Sequence, residues 1–128
     1  MTQDRRHLRT VTVGPLQIVF EYGRDIDDEG PIISVVGHVG DHETRLLEFY
    51  CYQNDPRYVY APGKRDEVHH AKDEGIEDMV EWTKHRLVKN LPDMLRRAGF
   101  GELADQIDAA EVARRLESLE SLIGSPEA

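Results

Sequence analysis

Six side chains that could bind a metal or transfer a proton lie near two predicted turns. They are His38, Asp41, His42, Glu67, His69 and His70. Two histidines and a carboxylate can hold a divalent metal, and histidine suits acid–base chemistry at neutral pH. The spacing matches no recognised ligand set, because one histidine pair flanks a turn and the other would point to opposite sides of an extended segment. The pattern favours exposed turn histidines, and we predict neither a metal nor a cofactor.

Four tyrosines lie on two predicted strands joined by a tight turn. They are Tyr50, Tyr52, Tyr58 and Tyr60. The two members of each pair share parity, so all four would line one surface if both pairs projected to the same face. Such a surface could hold a flat ligand or a partner protein, with Arg57 as an anion contact. Aromatic packing beneath the helices would explain the same pattern without a ligand.

The other candidate groups have simpler explanations. Cys51 shares the parity of Leu47 and Phe49, which is typical of a small buried apolar residue. The acidic run 25–29 lacks the ligand spacing of a calcium loop. Basic residues at 84–97 alternate with acidic ones, which favours a salt-bridged solvent face over a nucleic-acid site.

Composition limits the classes of protein to consider. The chain has 128 residues, one of them cysteine, so the length suits one domain and excludes a disulfide framework. The net charge of −9 argues against binding to nucleic acid or to an anionic membrane. No apolar run could span a bilayer and no secretory signal is recognisable, so we expect a cytoplasmic protein.

The elements that position these residues change in period near residue 72. Apolar residues recur every second position before it and every third or fourth position after it. This predicts an α+β domain: an antiparallel meander of about five or six strands, followed by two or three helices packed on one face. The predicted strands are 8–13, 16–22, 32–39, 44–53 and 57–60, with a strand or loop at 65–70. The single domain divides into a sheet half at 1–72 and a helical half at 73–124, followed by a loose tail at 125–128.

Two helices carry apolar stripes in the second half of the chain. Pro92 interrupts the longer pattern, which predicts a kink or a restart with Asn90 as its cap. A second helix at 109–123 would either cover the sheet or pair with another copy of the chain. The predicted core consists of Val11, Val13, Leu16, Ile18, Phe20, Ile33, Val35, Leu47, Phe49, Met79, Val80, Leu87, Leu91, Leu95, Val112 and Leu116, and the stripe of the second helix continues to Leu119 and Ile123.

The runs FYCYQNDPRYVYAPGK (49–64) and LPDMLRRAGF (91–100) resemble a family of small uncharacterised bacterial proteins. The similarity covers roughly residues 44–100. A strand of that family reads Pro-His-Tyr-His-Tyr, whereas this chain has Arg57 and Val59 in place of the two histidines, so no role of those histidines carries over. The layout also resembles, in architecture only, small ribonuclease-type toxins.

Together these patterns predict a non-enzymatic accessory, interaction or ligand-binding protein that acts through the tyrosine face. Its partner would be a protein, a second copy of the chain or a small molecule. The alternative is a small hydrolase or ribonuclease-like enzyme that uses the histidines with Asp41 or Glu67, with or without a metal.

Overall fold

The computed structural model describes residues 4–117. Six strands form one antiparallel sheet in chain order. They are β1 (Asp4–Val13), β2 (Leu16–Arg24), β3 (Glu29–Val39), β4 (His42–Tyr50), β5 (Arg57–Tyr60) and β6 (Glu67–His70). A 3₁₀ turn, Ala71–Glu74, leads to the helices α1 (Met79–Arg97), α2 (Gly101–Ala104) and α3 (Ala109–Arg115). The predicted α+β meander is confirmed.

Alternation of apolar and polar residues explains strand β2. In β2, Leu16, Ile18 and Phe20 are buried while Gln17 is exposed, as period-two patterning requires. The hairpin of β2 and β3 is longer than predicted, because its pairing continues to the end of β2 and the start of β3. There Gly30 lets the next segment of chain pass closely, since a Cβ at this position would collide with the carbonyl oxygen of Cys51.

A β-bulge interrupts the pairing of β3 with β4. Val35 lies opposite Leu47 while Val36 lies opposite Arg45, so Leu46 is the extra residue. Leu46 and Leu47 are both fully buried in the core with the helices, whereas strict alternation would place them on opposite faces.

Helix α1 lies on the sheet through a stripe of leucines. Asp78 caps its start, and the carboxylate accepts the backbone N–H of Glu81 at 3.1 Å. The helix continues through Pro92, so the expected restart is wrong, and Asn90 accepts a hydrogen bond from Arg86 instead of capping a new helix. Burial of leucines both before and after Pro92 outweighs the single lost backbone hydrogen bond.

The predicted core is buried with two exceptions. Val11 and Val80 are only partly buried and pack against its edge. The continuation of the C-terminal stripe to Leu119 and Ile123, and the tail 125–128, lie outside the described residues. Within the described part, no helix is long and apolar enough to cross a membrane.

The two faces of the sheet differ in what covers them. One face, here called the helix face, packs its apolar side chains with those of the helices in a single core. The other, here called the open face, carries Ile32, Ser34 and Glu48, which are buried but do not belong to that core. The sites below are placed with respect to these two faces.

Candidate binding site beside helix α1

The register of β4 with β5 separates the tyrosines. Tyr58 lies opposite Phe49, whereas Tyr50 lies opposite Arg57. Directly opposed residues of an antiparallel pair project to the same face. Tyr58 and Tyr60 therefore belong to the helix face, and Tyr50 and Tyr52 belong to the open face. The expectation of one surface lined by all four tyrosines is wrong, because the turn at residues 51–56 sets opposite parities.

Arg57 stacks on the tyrosines of the open face. Its guanidinium carbon lies 4.4 Å from the ring centre of Tyr50 and 5.5 Å from that of Tyr52. The same guanidinium pairs with Asp55 at 3.4 Å, and Tyr52 is buried. The charge of the predicted anion contact is thus already balanced by a carboxylate of the chain itself.

Glu48 is the centre of a second network on the open face. Its carboxylate accepts hydrogen bonds from Arg5 at 3.2 Å, Arg45 at 3.1 Å, Ser34 at 3.3 Å and the Tyr50 hydroxyl at 2.7 Å. Burial, followed by the charge of Glu48, raises the pKa of Tyr50. All four donors around Glu48 bind its carboxylate. We therefore expect this network to stabilise the sheet and to leave none of these donors for a ligand.

The histidines that the alternative enzyme hypothesis requires do not all come together. His38 and His42 lie at the β3–β4 turn beside Asp41, and His69 lies two strands away, level with Phe49. Strand geometry puts His42 and His69 more than about 20 Å apart, too far for a shared metal shell. Across residues 4–117, no three His, Cys, Asp or Glu side chains are grouped to hold a metal ion.

His70 meets a carboxylate on the open face. Its Nδ1 lies 2.9 Å from Asp55, and the side chains of both residues are 49% exposed. A carboxylate can orient a histidine in this way, but the same carboxylate also serves Arg57. The pair is a solvent-exposed contact at the rim of the sheet.

His69 and Glu67, in contrast, come together on the helix face. The Nε2 of His69 lies 2.8 Å from Glu67, and its Nδ1 lies 3.1 Å from Glu74. Glu74 also accepts a hydrogen bond from the Tyr58 hydroxyl at 2.6 Å. Burial, followed by this contact, raises the pKa of Tyr58. The two carboxylates therefore hold both nitrogens of the imidazole and the neighbouring phenol.

Aromatic rings build a continuous surface around this histidine. Tyr58 stacks on His69 with ring centres 4.9 Å apart and an angle of 9° between the planes. The ring centre of Trp82, on α1, lies 4.6 Å from that of Tyr58, and Tyr60 meets His69 edge-on at 5.5 Å. Such contacts fix the rings where β5, β6 and α1 meet.

Two arginines of α1 flank these rings. Arg86 lies 5.1 Å from the centre of Trp82, and Arg97 lies 4.9 Å from that of Tyr60. The two arginines are eleven positions apart, which is close to three helical turns, so both lie on one face of α1. The set Tyr60, Glu67, His69, Trp82, Arg86 and Arg97 is called the β6–α1 site below.

The two arginines differ in their partners. Arg97 donates to Glu67 at 2.6 Å, which raises the pKa of Arg97. Arg86 donates to the side-chain oxygen of Asn90 at 3.1 Å and meets no carboxylate within the part of the chain that the structure describes. The site therefore holds one cation in an ion pair and one that is not neutralised.

The hydroxyl of Tyr60 completes the site. It makes no hydrogen bond to any of the described residues. Burial raises the pKa of Tyr60, whereas the charges of Arg97 and Arg86 oppose that rise. Both guanidinium groups thus lie within electrostatic range of one hydroxyl donor.

A cleft lies elsewhere, beside the start of α1. It measures about 600 Å³, and its wall includes Cys51, Tyr52, Lys72 and Met79. Burial raises the pKa of Cys51 to about 12. The thiol is therefore not a nucleophile near neutral pH, in agreement with the predicted apolar role.

Two members of this arrangement, Arg86 and Arg97, are not singled out by the sequence pattern, because their charges fit a mixed solvent face. Their separation of eleven positions is the one signal that places both on the same side of α1, and Trp82, four positions before Arg86, shares that side. Glu74 had no such signal, because it reaches Tyr58 only through the 3₁₀ turn that follows β6.

The comparisons with known proteins identify the family. A family model described as Domain of unknown function (DUF7700) matches residues 10–123, and the chain belongs to this family. The match agrees with the uncharacterised family that the sequence resembles. No curated protein and no solved structure matches the chain.

Proposed function

We propose that this member of the DUF7700 family is a non-catalytic protein that binds a small organic anion at the β6–α1 site. The observation that carries the proposal is the guanidinium of Arg86, which lies over Trp82 and meets no carboxylate among residues 4–117, on the same face of α1 as Arg97. Planar guanidinium groups suit carboxylates and phosphates, and the partly exposed ring of Trp82 offers contact to an apolar body. The proposal keeps the binding role predicted from the sequence but replaces the four-tyrosine face.

The geometry of His69 argues for binding rather than for proton transfer. A general base must direct one ring nitrogen at the reacting group. Here Glu67 and Glu74 contact both ring nitrogens, and Glu74 also accepts a hydrogen bond from the Tyr58 hydroxyl. The histidine therefore supports a rigid ring surface, and an enzyme that uses His69 would first have to break one of these contacts.

The local charge favours an anion despite the net charge of the chain. The overall −9 repels an extended polyanion, such as a nucleic acid. A small anion samples mainly the nearest charges, because screening at physiological salt removes interactions beyond about 8 Å. Of the two arginines of the site, Arg97 is paired with Glu67, whereas Arg86 meets no carboxylate of the described residues.

Trp82 provides the assay, because it is the one tryptophan in the sequence and belongs to the site. The probe is phenyl phosphate, which combines a ring with an anion, titrated while tryptophan fluorescence is recorded. We expect a saturable change with a Kd on the order of 1 mM. Arg86→Gln should weaken binding about tenfold or more, as expected for loss of a charge-assisted hydrogen bond.

Arg114→Gln is the matched control. Arg114 is exposed near the end of α3 and lies outside the site, so its loss changes the net charge equally. This variant should retain the Kd of the wild type. If Arg86→Gln and Arg114→Gln have the same Kd as the wild type, or if phenyl phosphate does not bind at all, the proposal is wrong.

A further inference from the structure

We infer that Glu67 is an internal competitor for the anionic ligand, so that the site exchanges its own carboxylate for that of the ligand or for a phosphate. The inference rests on the proposed function and assigns to Glu67 the control of affinity. It goes beyond binding itself, because it predicts that removal of an acidic side chain tightens the binding of an anion.

Glu67 holds the cation that a ligand needs. Its Oε2 accepts from Arg97 at 2.6 Å and lies 2.8 Å from the Nε2 of His69. Its other oxygen accepts from Arg65 at 3.3 Å. The Glu67 side chain remains 28% exposed and that of Arg97 54% exposed, so an anion from solvent can reach the same donors.

The unequal pairing of the two arginines shows where competition occurs. Arg86 has no carboxylate to lose within residues 4–117, so an incoming anion meets it directly. Contact with Arg97 and Arg86 together requires Glu67 to share or release Arg97. A carboxylate beside the ligand also repels its charge, and this repulsion and the competition act in the same direction.

The neighbours of Glu67 limit what its removal would disturb. His69 keeps its contact with Glu74, and its stacking on Tyr58 does not involve Glu67. Arg97 keeps its position over Tyr60. Replacing the carboxylate with an amide therefore changes the charge at the site and leaves its aromatic surface in place.

The test compares phenyl phosphate binding by the wild type, Glu67→Gln and Glu67→Ala, with Trp82 fluorescence as the readout. Both variants should bind about tenfold more tightly than the wild type, the size of one lost hydrogen bond between charged groups. Glu43→Gln is the control, because it removes one negative charge at the start of β4, at the far end of the sheet. It should change the Kd less than twofold.

The outcomes distinguish this inference from the proposed function. If the wild type binds and both Glu67 variants bind equally or more weakly, Glu67 is not a competitor and the site proposal survives. If neither the wild type nor the variants bind, the proposed function fails as well. Tighter binding that Glu43→Gln reproduces would reflect net charge alone and would overturn the inference. Circular dichroism verifies that each variant is folded.

Discussion

Glu48→Gln tests whether the network on the open face stabilises the sheet. The carboxylate is 4% exposed and holds Arg5, whose side chain is 19% exposed, and Arg45, whose side chain is 54% exposed. It also accepts from Ser34 and from the hydroxyl of Tyr50. The amide removes the charge and places a donor group against guanidinium donors, while the volume of the side chain is unchanged.

The size of the expected loss of stability follows from how exposed the partners of Glu48 are. The contact with Arg5 is partly buried and charge-assisted, which is worth about 1.5–3 kcal/mol. The contact with the exposed Arg45 adds less than about 1 kcal/mol. One of the two neutral hydroxyl contacts should also be lost, at about 1 kcal/mol. We expect a total loss of about 3 kcal/mol in the free energy of unfolding.

The assay is urea denaturation followed by circular dichroism. With a slope of about 2 kcal/mol/M, the midpoint should fall by roughly 1.5 M. Glu43→Gln, an exposed change on the same strand, should alter stability by less than about 0.5 kcal/mol. A double-mutant cycle with Arg5→Gln should give a coupling of about 1–3 kcal/mol. A Glu48→Gln variant as stable as the Glu43→Gln control would refute the reasoning.

Three further predictions concern a loop, a thiol and acid stability. Asp28→Ala should lower the free energy of unfolding by about 1–3 kcal/mol, because the Asp28 carboxylate accepts hydrogen bonds from the backbone N–H groups of Asn54 and Asp55 at 2.9 and 2.8 Å. Hydrogen exchange at these two N–H groups should become faster. Cys51 should resist iodoacetamide in the folded protein and react after denaturation, since its pKa is about 12. Glu67→Gln should lower the free energy of unfolding most above pH 4.5, the ordinary pKa of glutamate, because the folded protein lowers the pKa of Glu67. Urea titrations should show that this difference from the wild type becomes smaller as the pH falls below 4.5.

The fold could be predicted because its signals are local. Alternation in β2 and the leucine spacing of α1 each depend on residues a few positions apart. Local pattern is misleading at Leu46 and at Pro92, where alternation would place Leu46 on the open face and the proline favours a restarted helix, because tertiary packing decides both. A bulge buries Leu46 on the helix face, and leucines on both sides of Pro92 hold α1 together.

The site was harder to predict because it depends on register. The number of residues between β4 and β5 decides whether Tyr50 and Tyr58 share a face, and no local pattern reports it. The pairing of His69 with Glu67 could be suspected from their separation of two on one strand. Its contact with Glu74 depends on the 3₁₀ turn after β6, and the approach of Arg97 exists only once α1 is folded against the sheet.

The central claim is that ligands bind on the helix face, beside α1, and it can be tested by NMR. A ¹H–¹⁵N correlation spectrum, recorded during titration with phenyl phosphate, would locate the bound probe. We predict saturating shifts at the side chains of Trp82, Arg86 and Arg97, with the open face unchanged. Shifts confined to Tyr50, Arg57 and their neighbours would place the binding surface on the opposite side of the sheet and would contradict the account.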